Sequence, residues 1–371
     1  MSIPLSLYIH FPWCVRKCPY CDFNSHETKG DIPQSAYIDA LVSDLRAYLP
    51  EYDGREIQTI FMGGGTPSLF NAESISNLFD SLKADLSFAA DIEITLEANP
   101  GTTDYEKFEG YFEAGINRLS IGVQSFDSQH LHQLGRIHST HDVFQAHRAA
   151  TLAGFTNINI DLMHGLNQQT LDGAMNDLNE AIALKPTHIS WYQLTIEPNT
   201  QFYKNPPSLP QDDLLWDIYE RGLERLSENG FSRYEVSAFS LKNRRSRHNL
   251  NYWLFGDYIG IGAGAHGKLT TKYGITRTAK TRMPKDYLAK QRTITTKVNE
   301  DEIPLEFLMN ALRLSDGFSF SLFTQRTGLK AEVLDGFISE GEQAGLIEIS
   351  NQEVKPTLRG LQFLNELLMM V

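Results

Sequence analysis

Cysteine is scarce in this chain of 371 residues: only three are present, and all of them lie between positions 14 and 21. No cysteine elsewhere can pair with them, so the sequence lacks the disulfide framework typical of small secreted domains. No run of about 18 apolar residues occurs, and the first seven residues have neither the basic nor the apolar region of a signal peptide. We therefore expect a cytoplasmic protein, in a compartment that keeps thiols reduced.

Basic residues are also too few to balance the acidic ones. The chain has 33 Lys and Arg against 46 Asp and Glu, a net charge of −13. Such a balance weighs against a polyanionic partner, and we expect no binding to nucleic acid.

What the chain does have is a compact ligand set, Cys14, Cys18 and Cys21, with the spacing C-x-x-x-C-x-x-C. Three thiolates can ligate three irons of a 4Fe-4S cluster and leave the fourth iron open, because soft thiolates suit iron–sulfur clusters. The alternative is a zinc site, for which His10 or His26 would supply the usual fourth ligand. We favour the cluster, and an open iron can bind a further ligand.

Short apolar segments alternate with helix-length amphipathic segments up to about residue 194. The expected strands are 5–10, 59–62, 92–96, 118–123, 157–162 and 188–194. Repeated β-α units predict a parallel sheet with helices outside it, and six units could curl into an open, partial barrel. The loops after the carboxyl ends of the strands should carry the chemistry, and the cysteines follow the first strand directly.

The pattern changes after residue 240, and we divide the chain into 1–240, 241–299 and 300–371. The middle segment is predicted to be a connection with an irregular, glycine-rich stretch at 244–268. The last segment is predicted to contain helices, a hairpin around Asn351 and a final helix from Thr357, an order that resembles a winged-helix module. It has 5 basic and 12 acidic residues, a net charge of −7, so we expect a lid or docking domain and not a DNA-reading one.

Polar residues stand at the ends of several predicted strands. The sequence GGGTP at 63–67 follows the second strand, and its glycines let the backbone approach a ligand closely. Glu97, Gln124 and Asp161 each end an apolar segment. Burying such groups without partners costs about 1–3 kcal/mol each, so we expect them to face a polar ligand or one another. Arg136 would suit a carboxylate of that ligand.

Six segments together resemble the oxygen-independent coproporphyrinogen oxidase lineage of the radical S-adenosylmethionine (SAM) proteins. They are YIHFPWC (8–14), CPYCDF (18–23), GGGTP (63–67), LEANP (96–100), SIGVQS (120–125) and DLMHG (161–165). The resemblance implies an α/β fold, a radical SAM partial (β/α)6 TIM-like barrel with a smaller C-terminal helical, winged-helix-like domain.

The resemblance also implies a site. Cys14, Cys18 and Cys21 would ligate the 4Fe-4S cluster, whose open iron chelates SAM. Tyr8, Gly64 and Glu97 would contact this SAM. Further contacts to SAM or to a second ligand would come from Gly65, Thr66, Gln124, Arg136 and Asp161.

A further segment, HNLNYW at 248–253, resembles the H-N-x-x-Y-W motif of the heme-chaperone branch of this lineage. It implies heme contacts from His248, Asn249, Tyr252 and Trp253. Imidazole is a natural axial ligand of heme iron, and the two aromatic rings offer flat apolar faces. Whether heme is held by His248 or covalently is open at this point. The basic residues Lys242, Arg244, Arg245 and Arg247 are either propionate partners or a solvated surface.

Oxidases of the lineage carry another cysteine two residues after the last cluster ligand, where this chain has Phe23, and a longer segment before the cluster. The resemblance therefore implies a heme chaperone that passes heme to apo-hemoproteins, with coproporphyrinogen III oxidase as the alternative. Membrane-bound hemoproteins, met from the cytoplasmic side, are among the acceptors we consider. The oligomeric state is open, and a dimer is one option.

Overall fold

A computed structural model describes residues 3–49, 53–290 and 292–371. The strands in chain order are β1 Leu5–Phe11, β2 Trp13–Cys14, β3 His26–Glu27, β4 Ile57–Gly64, β5 Phe88–Ala98, β6 Arg118–Gln124, β7 Ile158–His164, β8 His188–Gln193, β9 Ser232–Glu235, β10 Ala238–Ser240, β11 Asp257–Ile261, β12 His266–Thr271, β13 Gly274–Lys280, β14 Thr293–Lys297, β15 Phe318–Ser319, β16 Ile347–Ser350 and β17 Glu353–Pro356.

The helices in chain order are α1 Gln34–Arg46, α2 Ala72–Asp85, α3 Tyr105–Glu113, α4 Ser128–Gln133, α5 Thr140–Leu152, α6 Leu171–Ala183, α7 Gln201–Lys204, α8 Asp212–Glu228, α9 Arg247–Trp253, α10 Pro284–Ala289, α11 Ile303–Ala311, α12 Phe320–Thr327, α13 Asp335–Gln343, α14 Leu358–Gln362 and α15 Leu364–Leu368. Within these residues no helix is both long enough and apolar enough to cross a bilayer.

The described residues form one large sheet of twelve strands in the order β14-β13-β12-β11-β1-β4-β5-β6-β7-β8-β10-β9. Six adjacent strands in this order pair in parallel, as the β-α pattern predicts, namely β1, β4, β5, β6, β7 and β8. On its other edge, β1 pairs in parallel with β11. Their buried faces share one core with α1, α2, α3, α5, α6 and α8. The predicted α/β partial barrel is therefore confirmed, and the carboxyl ends of its parallel strands form one edge.

The helix starts follow local chemistry. Asn71 and Thr170, which precede α2 and α6, accept hydrogen bonds from the backbone N–H of Ser74 (2.7 Å) and Gly173 (3.1 Å). Each satisfies a donor that the first helical turn leaves without a partner. All six predicted strands are also confirmed, with bounds that differ by a few residues.

The prediction of an irregular stretch at 244–268 is wrong. This stretch contains α9, β11 and the start of β12, and β11 joins the main sheet beside β1. Its glycines serve close strand packing: a Cβ on Gly260 would lie 1.9 Å from the carbonyl oxygen of His266. Glycines that permit such close approach look like loop residues in a sequence.

The C-terminal part has its own core, which includes Phe307, Phe323 and Val354. Its three short strands pair in the order β15-β17-β16. The hairpin expected around Asn351 is confirmed: Asn351 and Gln352 have φ values of 51° and 66°, which suit a tight turn between antiparallel strands.

Candidate cofactor and ligand sites

The loop that carries the cysteines follows β1 and folds back on itself. Cys14 lies in the short parallel pair of β2 and β3, opposite Glu27. The Lys17 ammonium donates to the carbonyl oxygens of Phe23 and Ser25, at 3.1 Å each. This ammonium ties the segment between Cys14 and Cys18 to the residues that follow Cys21.

The three thiols line one cavity of about 510 Å³, which we call the cluster cavity. Burial, followed by the nearby Cys21 and Cys18, raises the pKa of the Cys14 thiol to about 11. Burial also raises the pKa of Cys21. Desolvated thiols this close need cationic partners to ionise, and the irons of a cluster are such partners. The donor set therefore fits a 4Fe-4S cluster.

In the described residues no three His, Cys, Asp or Glu side chains converge on a single ion. A 4Fe-4S cluster does not require this, because each thiolate ligates a different iron. His10, one zinc ligand considered above, already uses both ring nitrogens, with the Tyr8 hydroxyl at 2.9 Å and the Asn24 carbonyl oxygen at 3.0 Å. Burial lowers the pKa of His10 to about 4. The Nε2 atom of His26 lies 3.3 Å from Asn24 Oδ1.

The glycine segment after β4 packs against the cysteine loop. Gly64 has a φ of +112°, and a Cβ there would lie 2.3 Å from the His10 ring. A Cβ on Gly65 would lie 2.4 Å from the carbonyl oxygen of Trp13, and the Gly65 N–H donates to Phe11 at 2.7 Å. Gly64, Gly65 and Thr66 all line the cluster cavity. Only glycine permits this close approach of two backbones.

Two half-buried carboxylates lie on the parallel strands, Glu97 near the end of β5 and Asp161 within β7. The Gly64 N–H donates to Glu97 at 3.1 Å, whereas Asp161 accepts from Ser120 at 2.9 Å and Asn159 at 2.7 Å. Burial, followed by the charge of Asp161, raises the pKa of Glu97 to about 7. Burial also raises the pKa of Asp161. Both side chains line the cluster cavity, where a cationic group would relieve their desolvation.

Gln124 and Arg136 complete this wall. Gln124 has a φ of +73° and its Oε1 accepts from the Tyr192 hydroxyl at 2.7 Å. Arg136 donates to the Gly122 carbonyl oxygen, and its Nη1 lies 3.9 Å from Cys18 Sγ. Tyr192 was missed by the sequence reasoning, although polar residues alternate along β8 and thereby mark one face of the strand.

A second cavity of about 630 Å³ adjoins the first, and we call it the aromatic cavity. It shares Phe23, Gly64 and Glu97 with the cluster cavity. Phe23 is 62% exposed. Aromatic and basic side chains line the aromatic cavity, namely Tyr8, Phe23, Tyr252, Trp253, Phe255, Tyr258, His266, Lys268, Arg277 and Arg282.

The structure divides the residues of the HNLNYW segment. Tyr252 and Trp253 line the aromatic cavity, and Asn249 lines the cluster cavity. His248 lines neither, because it is fully buried, with Nδ1 2.8 Å from Thr59 Oγ1 and Nε2 2.8 Å from the Tyr252 hydroxyl. Burial, followed by Arg118, lowers the pKa of His248 to about 3. Iron ligation by His248 would require the ring to leave both hydrogen bonds.

The basic run at 242–247 does not reach the cavities. Its four cationic residues are all described, and none lines either cavity. Arg245 pairs with Asp316 at 2.6 Å and Arg247 pairs with Asp91 at 3.1 Å, both on the surface. The cations of the aromatic cavity come from β12, β13 and the loop after them, which the sequence reasoning did not identify.

Comparisons with known proteins agree with this architecture. The radical SAM superfamily matches residues 8–178, and the HemN C-terminal domain matches residues 298–363. Coproporphyrinogen III oxidase (HemN) from Escherichia coli, a radical SAM enzyme, superimposes with a TM-score of 0.84 at 22% identity, over 100% of this chain and 90% of that one. This likeness shows the fold.

Curated relatives are closer in sequence. The heme chaperones HemW of Haemophilus influenzae and Escherichia coli are 50% and 48% identical, over 98% of this chain and 97% of each relative. The heme chaperone HemW of Bacillus subtilis is 34% identical, over 97% of both chains. The chain therefore belongs to the HemW heme-chaperone family of the radical SAM superfamily.

Proposed function

We propose that the protein is a heme chaperone, which binds heme beside a resident 4Fe-4S cluster and SAM and delivers it to apo-hemoproteins. One observation carries this proposal: a cavity lined by aromatic and cationic side chains shares a wall with the cavity that holds the three cysteines. The names of the relatives support the same function.

In this proposal Cys14, Cys18 and Cys21 hold the cluster. When bound, the cluster supplies an iron with an open position and one-electron chemistry. The carboxylates of Glu97 and Asp161 suit the cationic groups of SAM, and Arg136 suits its carboxylate. The remaining contacts that we propose for SAM, or for a second ligand beside it, are Tyr8, Gly64, Gly65, Thr66 and Gln124.

Heme is a flat, largely apolar ring with two carboxylates, and the aromatic cavity has the matching features. Tyr252 and Trp253 offer ring faces, and Arg282, in the loop after β13, offers a positive charge. A volume of about 630 Å³ lies within the range of cavities that hold ligands of this size.

Heme titration of the anaerobically purified, cluster-reconstituted protein tests the proposal. We expect a saturable change of the Soret absorbance, and transfer of the bound heme to an apo-globin added afterwards. If the protein shows no saturable heme binding, or never releases heme to the acceptor, the proposed function is wrong.

The second candidate is an oxygen-independent coproporphyrinogen III oxidase, which the full-length fold match favours. Phe23 stands where the oxidases of the lineage have a further cysteine, so we expect no decarboxylation. Anaerobic turnover of coproporphyrinogen III with SAM and a strong reductant, followed by chromatography of the products, decides between the two. Catalytic formation of protoporphyrinogen IX would favour the oxidase.

A further inference from the structure

His266 is a histidine of the aromatic cavity that belongs to none of the motifs above. It opens β12, which pairs antiparallel with β13 so that His266 lies opposite Ala279 and Lys268 lies opposite Arg277. Side chains alternate along a strand, and paired residues share a face. His266, Lys268 and Arg277 therefore point to the same side of the sheet, and all three line the cavity.

The imidazole of His266 is available to a ligand, in contrast to those of His10 and His248. Its side chain is exposed, and within the described ranges no side chain forms a hydrogen bond to it. Burial of part of the ring, followed by the charges of Arg282 and Arg277, lowers the pKa of His266. This direction favours the neutral ring, which is the form that ligates a metal.

The basic residues around His266 differ in how far they are already engaged. Arg277 donates to Glu306 at 2.6 and 3.0 Å, and Lys268 pairs with Asp257 at 3.0 Å. Arg282 is exposed, and it has no ion pair among the residues that the structure describes. Its guanidinium is therefore the cation of this cavity that remains open to a carboxylate.

We propose that His266 is the axial ligand of a heme iron in the aromatic cavity, and that Arg282 pairs with a heme propionate. Phe23 and Trp253 supply apolar contacts to the ring, which gives the exposed Phe23 side chain a function. One bond forms, from an imidazole nitrogen lone pair to the iron, and no oxidation state changes. This inference rests on the proposed function, because it assumes that the protein binds heme.

The first test is a hemin titration of His266→Ala beside the parent protein. Loss of a ligand should shift the Soret maximum and weaken binding about tenfold or more. Added imidazole should restore the parent spectrum. His248→Gln and His132→Ala, which changes an exposed histidine outside both cavities, should retain the parent spectrum.

The outcomes separate the inference from the function on which it rests. If the parent binds no hemin, the heme-chaperone function fails. If the parent binds hemin but His266→Ala has the same spectrum and affinity, only the His266 assignment is overturned. A changed spectrum in His248→Gln alone would return the ligand role to His248. Unfolding in urea and the iron content of each variant check that the fold and the cluster are retained.

The second test concerns Arg282. Arg282→Ala should weaken hemin binding but leave the binding of hemin dimethyl ester unchanged, because the ester has no free carboxylate. Arg244→Ala, which changes an exposed arginine outside both cavities, should leave both affinities at the parent level. Equal effects of Arg282→Ala on hemin and on its ester would overturn the propionate contact.

Discussion

The two cavities share a wall but are built in different ways. The thiols of the cluster cavity come from eight consecutive residues, and Glu97, Gln124 and Asp161 come from three neighbouring parallel strands. The aromatic cavity takes its walls from β1, the end of the cysteine loop, α9, and the β11 to β13 strands beyond them. The first site is local in the chain, whereas the second depends on how distant strands pair.

Two histidines at the aromatic cavity also differ in their surroundings. His248 is buried beside the aromatic cavity and uses both ring nitrogens to support Thr59 and Tyr252. His266 lies in the cavity wall with its ring exposed. A histidine inside a motif can thus be a structural support, while one outside any motif faces the ligand space.

Loss of the cluster is the largest effect that we expect. Cys14→Ala, Cys18→Ala and Cys21→Ala should each abolish the stable 4Fe-4S absorbance, because the chain has no other cysteine to replace the missing ligand. Iron and sulfide analysis of anaerobic samples measures this. Ser25→Ala, which removes a hydroxyl 3.5 Å from Cys21 Sγ, should keep the cluster. Full cluster content in all three cysteine variants would refute the ligand assignment.

Replacement of the two histidines should separate their roles in stability. His248→Ala should lower the free energy of unfolding by about 3 kcal/mol, because it empties a buried site, removes the hydrogen-bond partner of the Tyr252 hydroxyl and leaves Thr59 with Ser6 alone. His266→Ala should change it by less than about 0.5 kcal/mol, as is usual for exposed positions. Urea unfolding without heme measures both. Similar losses in the two variants would contradict the contrast drawn here.

Glu97, in the shared wall, should make stability depend on pH. Its folded-state pKa of about 7 lies above the ordinary value of 4.5. The free energy of unfolding of the parent therefore falls as pH rises from about 4.5 to about 7. Glu97→Gln removes this loss. The free energy of unfolding of Glu97→Gln minus that of the parent should therefore increase by up to about 3 kcal/mol from pH 5 to pH 8. Titrating groups that do not interact with Glu97 cancel in the difference, whereas Asp161 is coupled to Glu97 and contributes to it.

Urea unfolding of the cluster-free proteins at several pH values checks this prediction. The control is Glu73→Gln, which changes an exposed carboxylate. Its free energy of unfolding should differ from that of the parent by the same amount at every pH. A difference between Glu97→Gln and the parent that does not vary with pH would mean that Glu97 is ionised normally.

The glycine segment should give the smallest effect. Gly65→Ala would bring a Cβ within 2.4 Å of the Trp13 carbonyl oxygen, so the cysteine loop must shift. We expect a loss of about 2 kcal/mol in unfolding free energy, together with weaker SAM binding by calorimetry. Gly30→Ala meets nothing within 4 Å and should behave as the parent does. Parent-like values for Gly65→Ala would show that the loop has room to adapt.

The sequence allowed the residues of the cluster cavity to be grouped for a physical reason. The carboxyl ends of parallel strands meet at one edge, so Glu97, Gln124 and Asp161 could be placed together without knowing any contact. The aromatic cavity was beyond such reasoning. The face on which His266 lies depends on the antiparallel pairing of β12 and β13. The glycines around β11 made this segment look like a loop in the sequence, so the strands were not predicted. The side to which His248 turns in α9 is likewise set by tertiary contacts.

The central claim is that cluster and heme occupy adjoining but separate cavities. The most direct test is a hemin titration of the protein in which Cys14, Cys18 and Cys21 are all replaced by Ala. The account predicts a protein without iron–sulfur absorbance that still binds hemin with the parent Soret spectrum and an affinity within about threefold, a difference below 1 kcal/mol. Loss of saturable hemin binding together with the cluster would contradict it.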